Sequence, residues 1–201
     1  MHQQPCNCTT RQSCTEIIQD GGFEQASFTP GSYTSATDGM TLDGGHWTVH
    51  TDGSRLANGF ASVGVINDYL SLFYKTPDGN NFVYIGYYPT GGGNAPPYPA
   101  CSIVQTITLQ GGRHYKLSLL ESAYKYTGDN TPGSIKVQIL PASGPPIYTK
   151  SFSVPAYSNW VPKQDDDVFI PPTAGGSYQI VLSNDVNSVA VIDAVSLCEQ
   201  N

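Results

Sequence analysis

Two acids stand where β-strand alternation would put a neutral or apolar side chain. Glu24 closes the phrase Ile17-Ile18-Gln19-Asp20-Gly21-Gly22-Phe23-Glu24, and Asp193 lies inside Val189-Ala190-Val191-Ile192-Asp193-Ala194-Val195-Ser196-Leu197. If the first and last strands meet, these carboxylates come together and repel unless a cation lies between them. Alternatively, each caps backbone amides or faces solvent. Catalytic chemistry has less support. A glycosidase needs paired carboxylates across a cleft, one with a raised pKa, and no pattern links Glu121 to the run Asp165-Asp166-Asp167. The Gly-x-Ser-x-Gly, P-loop and dinucleotide fingerprints are missing, and no cysteine has a nucleophile context. The chain reads as a non-enzyme.

His2, His46, His50 and His114 form no metal constellation. His46 and His50 are four apart, a spacing that matters on a helix, but their stretch reads as strand and turn. The five cysteines, Cys6, Cys8, Cys14, Cys101 and Cys198, lack Cys-x-x-Cys spacing and read as two disulfides plus one thiol. Cys14 precedes the first strand and Cys198 follows the last, which makes them the preferred pair. Asn7-Cys8-Thr9 matches a glycosylation sequon that a bridged Cys8 would hinder.

Charged residues are 12% of the chain, about half the usual share, while Gly (21), Pro (15) and Tyr (13) are abundant. That balance suits a secreted β-protein. A formal charge of −7 opposes binding to nucleic acid or to an anionic membrane surface. No apolar run is long enough for a membrane span, so membrane insertion is not expected. The first residues lack a secretory leader, and Met1 is expected to stand in place of one already removed.

To position these residues the chain offers short strands and turns, with no segment that reads as a helix. Residues 1–15 form a Cys-containing N-terminal arm, and residues 16–201 a single domain. Glu16 to Ile18 is the first strand, and residues 27–45, rich in Ser, Thr, Gly and Asp, are a long surface loop. Strands follow at Trp47-Val49, Ala61-Val65, Leu70-Tyr74, Phe82-Tyr87 and Ser102-Leu109. Gly111-Gly112 turns the last of these into His114-Leu120 as its hairpin partner. Ser134-Leu140 alternates Ile135, Val137 and Ile139 with polar neighbours, and Tyr148-Val154, Asp167-Ile170, Tyr178-Leu182 and Val189-Leu197 complete the series. This spacing predicts an all-β jelly-roll β-sandwich of two antiparallel sheets.

Asp20-Gly21-Gly22-Phe23-Glu24 resembles the Asn-Gly-Gly-Phe-Glu opening of galactose-binding-domain-like jelly rolls, among them the carbohydrate-binding modules of families 4, 9 and 22. Val104 to Ser118 is similar to their strand, Gly-turn, Tyr-x-Leu-Ser segment. Ile192-Asp193-Ala194-Val195-Ser196-Leu197 is similar to their closing Ile-Asp-Asp-Val-Ser-Leu. The cysteine-bearing arm and Cys101 resemble fungal secreted versions. The resemblance implies a structural calcium with Glu24 and Asp193 as carboxylate ligands and Asp43 contributing from the loop before Trp47. This chain departs from the pattern at Asp20, usually Asn, and at Ala194, usually a second acid.

The resemblance further implies a lectin-like role toward cell-wall or surface glycans. Pyranose rings pack on aromatic faces while their hydroxyls find polar side chains. The candidate ligand residues are Tyr84 and Tyr88 near a strand end, Tyr124 and Tyr126 two apart on one side of an extended segment, and Trp160 in a polar loop. Any of these tyrosines can equally line the sandwich, and Trp47 reads as core. Asp165-Asp166-Asp167 reads as a solvated loop. The alternative is a structural or adhesive surface protein that uses the sandwich as a spacer.

Overall fold

The computed structural model describes residues 14–25, 33–36, 38–42, 44–51, 63–67, 76–86, 101–123, 132–156, 158–184 and 189–200. These form strands β1 (Thr15–Glu16), β2 (Tyr33–Ala36), β3 (Thr48–Thr51), β4 (Val63–Asn67), β5 (Asn81–Ile85) and β6 (Cys101–Leu109). The series continues with β7 (His114–Ala123), β8 (Gly133–Pro141), β9 (Tyr148–Val154), β10 (Val161–Phe169), β11 (Gly176–Asn184) and β12 (Ala190–Glu199). A seven-stranded sheet runs β10-β7-β12-β5-β4-β2, with β1 added onto β12. Facing it is a five-stranded sheet in the order β3-β6-β11-β8-β9, and every pairing is antiparallel. The molecule is an all-β sandwich.

Alternation along each strand builds the core. Ile103, Ile107, Leu109, Ile135, Val137, Ile139, Ile180 and Leu182 point inward from the smaller sheet, against Leu117, Leu119, Val83, Ile85, Ile192 and Leu197 of the larger one. Trp47 belongs to this core. Its indole N–H donates to the Asp20 carbonyl at 3.1 Å, and its ring tilts against Phe23 with centroids 5.9 Å apart.

The opening and closing segments lie side by side. Thr15 pairs with Glu199, the Ile17 N–H donates to the Leu197 carbonyl, and the Val195 N–H donates to the Gly21 carbonyl at 2.9 Å. A Cβ on Gly21 would lie 1.8 Å from the Val195 carbonyl oxygen, so only glycine permits this approach. The expected Cys14–Cys198 disulfide is formed, with Cα atoms 5.6 Å apart, while Cys101 is buried in the core. Residues 1–13, including Cys6 and Cys8, lie outside the described residues, as does the expected strand at Leu70-Tyr74.

Three expectations are corrected. β6 and β7 are not a hairpin: β6 pairs with β3 and β11, whereas β7 pairs with β10 and β12. The Gly111-Gly112 turn crosses between the sheets, with the Gly112 N–H bonded to the Ile170 carbonyl. Within the expected loop at 27–45, Tyr33–Ala36 forms the edge strand β2, paired to β4. Asp165, Asp166 and Asp167 lie in a strand, not a loop. β10 starts at Val161 on the sheet edge, and a bulge between Asp165 and Val168 accommodates the acidic run.

Candidate functional site

On the outer face of the five-stranded sheet lies a groove of about 450 Å³, within the range of small-ligand sites. Thr48 and His50 of β3, Val104 and Thr106 of β6, and Gln179 of β11 line it, each alternating with an inward residue such as Val49, Ile103 or Ile180. The Gln19-His46 side closes it through a paired amide. Gln105 Oε1 accepts from the Gln19 N–H, and Gln105 Nε2 donates to the Gln19 carbonyl, both at 2.8 Å. His50 lies 3.8 Å from Asp38, whose Oδ1 also accepts the Thr51 N–H. The lining is rich in amides, hydroxyls and imidazoles, and among the described residues it contains neither tyrosine nor tryptophan.

The opposite, outer face of the larger sheet holds the two described members of the expected aromatic set. Tyr84 and Phe82 point outward from β5 and pack with Val191 of β12, with Trp160 laid against them. The Phe82 and Trp160 rings meet edge to face with centroids 5.5 Å apart. Trp160 directly precedes β10, and close before it the chain is fastened where the Ser122 hydroxyl donates to the Ser158 carbonyl at 2.9 Å. Tyr84 is 8% exposed and Trp160 is half-buried, so both rings contribute to a small second core. Tyr88, Tyr124 and Tyr126 lie outside the described residues.

The two acids singled out in the sequence are brought into the same region. Asp193 is fully buried. The Thr76 hydroxyl donates to its Oδ2 and the Ala194 N–H donates to its Oδ1. Burial, opposed by those two bonds and reinforced by the charges of Asp78 and Glu24, pushes its carboxyl up to about 7. Glu24 Oε1 accepts the N–H groups of Asn80 and Asn81, both at 2.7 Å, which is the capping role open to it. Gly79 suits this place: its φ is +63°, and a Cβ would lie 2.2 Å from Glu24 Oε1, so a larger residue would displace that carboxylate.

Backbone strain concentrates at this junction. Among the described residues, those other than glycine with positive φ are Asp20 (49°), Phe23 (56°) and Ala194 (49°), the last inside a bulge of β12.

The donor chemistry suits calcium, which takes carboxylate and carbonyl oxygens in loose geometry. No lysine, arginine or histidine among the described residues pairs with Glu24, Asp78 or Asp193. Equally, no three His, Cys, Asp or Glu side chains among the described residues form a ready metal cluster, so an ion would need backbone or hydroxyl oxygens as well. Asp43 lies outside the described residues, and Asp78 supplies the third nearby acid.

Sequence reasoning did not find the groove. Its signal was a polar Gln105 at an inward position of β6, between Ile103 and Ile107, which demands a buried amide partner. That partner is backbone, so no side-chain pattern announced it.

No family model matches this chain, and no curated protein matches it. Solved structures do. A family 4 carbohydrate-binding module aligns over 91% of this chain and 99% of its own, at TM-score 0.56 and 19% identity. A family 61 carbohydrate-binding module, solved in complex with β-1,4-galactotriose, covers 91% of this chain and 97% of its own, at TM-score 0.52 and 14% identity. The K1 cleaved adhesin domain of Lys-gingipain from Porphyromonas gingivalis covers 83% and 98%, at TM-score 0.50 and 15% identity. The chain therefore has the β-sandwich fold of carbohydrate-binding modules.

Proposed function

We propose that this protein is a non-catalytic, secreted glycan-binding protein whose saccharide lies in the groove on the five-stranded sheet. The observation that carries this reading is the groove's lining. Gln19, Gln179, Thr48, Thr106, His46 and His50 offer hydrogen-bonding groups side by side, which is what ring hydroxyls need. The family 61 module's galactotriose complex supports a sugar as the ligand class. The Cys14–Cys198 bridge supports an oxidising, extracellular setting. Where aromatic stacking contributes, the His46 and His50 rings supply it within the groove. Tyr84 and Trp160 on the opposite side are the described part of a rival aromatic set; Tyr88, Tyr124 and Tyr126 of that set lie outside the described residues. A structural calcium held by Glu24 and Asp193, with Asp78 beside them, belongs to the same proposal. It would neutralise the converging charges and support the groove only indirectly.

A glycan array, followed by calorimetry on the strongest glycan, tests the reading. Gln179→Ala and His50→Ala are expected to weaken binding by roughly tenfold or more, about 1.4 kcal/mol, with Trp160→Ala and Tyr124→Ala near wild type. The reverse pattern moves the site to the aromatic side. Absence of binding to any glycan favours the second reading, an adhesive or structural spacer, which the likeness to the gingipain adhesin domain supports.

A further inference from the structure

Glu121 has no place in the groove or among the acids near Asp193. It points inward from β7, fully buried, at the seam where β10 of one sheet faces β9 of the other. Among the described residues, neither of its carboxylate oxygens has a hydrogen-bond partner. Buried polar groups are bonded in the great majority of cases, so this one requires a physical reason. Among the described residues, the charged group paired with it is Lys163 of β10, whose Nζ lies 3.7 Å from Glu121 Oε2. The same ammonium donates to the Ser153 carbonyl of β9 at 2.6 Å. Lys163 thus reaches from the edge of the larger sheet to the edge of the smaller one, with Glu121 behind it.

Other charges at the seam face elsewhere. Asp165 of β10 pairs with Lys150 of β9 and accepts the Tyr148 hydroxyl. Lys136 of β8 stands on the outer face, between the inward Ile135 and Val137, and Asp193 of β12 projects from the opposite face to Ile192, the residue paired with Glu121. His114 and Lys116 belong to the far end of β7, paired with Asp167 and Asp166.

We propose that Glu121 and Lys163 form an acid-sensitive clasp across the β9–β10 seam. With Glu121 ionised, its charge holds the Lys163 ammonium inward, where it bonds the Ser153 carbonyl. Proton uptake by Glu121 removes that attraction. The ammonium then turns to solvent, and the seam keeps the Tyr148–Asp165 and Lys150–Asp165 contacts. Burial raises the Glu121 carboxyl to about 7, with Lys163 opposing, which puts the switch within the physiological range.

The test is an NMR titration of the full chain from about pH 5 to about pH 9, following the Lys163 Cε–Hε signal and the Glu121 carboxyl carbon. In the wild type both signals are expected to inflect together near neutrality. In Glu121→Gln the Lys163 signal is expected to stay flat across that range. In Lys163→Met the Glu121 midpoint is expected to move further up, because its compensating charge is gone. A wild-type Lys163 signal without an inflection, or a Glu121 midpoint in the ordinary carboxylate range, overturns the proposal even if both variants fail to fold.

Discussion

Gln19 and Gln105 are bonded to each other twice, side-chain amide to backbone amide, across 86 positions of sequence. The pair anchors the segment before Glu24 to β6 and closes one side of the groove. Gln105→Leu leaves the Gln19 N–H and carbonyl without partners, and an unsatisfied buried group costs about 1–3 kcal/mol. Denaturant unfolding should show a loss in that range, with weaker glycan binding. Unchanged stability would mean that solvent replaces the amide without cost.

The Gly21–Val195 approach gives a sharper test. Gly21→Ala drives a methyl into the Val195 carbonyl, so β12 or the opening segment must shift. A loss of about 2 kcal/mol or more is expected, in the range of strong overpacking. Gly45→Ala is the control for conformational strain: its φ is +79°, but among the described residues no atom beyond its chain neighbours lies within 4 Å of the added Cβ.

Reduction of Cys14–Cys198 opens a loop spanning 184 positions. Cys14→Ser with Cys198→Ser is expected to lower stability by about 2–5 kcal/mol. Unchanged thermal melts with and without a reductant would assign the junction's stability to β1–β12 pairing alone.

Chelation tests the calcium proposal. A ligand bound only by the native state raises the melting midpoint, so EDTA should lower it and added calcium restore it. Asp193→Asn should abolish the response while retaining the fold. Identical midpoints in EDTA and calcium would leave Glu24 as a simple cap on Asn80 and Asn81.

The pH dependence of stability follows from Glu121 and Asp193, both raised to about 7. A folded-state pKa above the unfolded one means that the native state binds more protons in the interval between them. Stability in metal-free buffer should therefore rise as pH falls from about 7 toward about 4.5, by at most about 3 kcal/mol per group. Glu121→Gln should flatten part of this rise. Acid can loosen the β9–β10 seam locally while the whole fold gains stability, because the neutral carboxyl is cheaper to bury. A steady decline below pH 7 would contradict both assignments.

The sequence made the fold legible wherever alternation was clean. β8, with Ile135, Val137 and Ile139, and β9, Tyr148–Val154, appear at or near their expected bounds. The Cys14–Cys198 pair and the meeting of the Glu24 and Asp193 segments also follow from the sequence, since both rest on the first and last strands pairing. β10 was mostly missed because an exposed edge strand with three consecutive aspartates carries no apolar period. The β6–β7 connection misled because Gly111-Gly112 serves a crossing between layers as well as a hairpin, and local sequence does not say which sheet receives the next strand. Trp160 looked like a surface ring because its burial depends on Phe82, 78 positions earlier, which no local pattern reports.

Strand β12 lies between β7 and β5. During synthesis on the ribosome, β7 and β5 emerge long before the segment that joins them. Until residue 199 has left the exit tunnel, each presents an open edge to any other extended polypeptide. The nascent chain thus has a window of exposure in which chaperone shielding matters most, and a premature stop before Ala190 would leave that window permanently open.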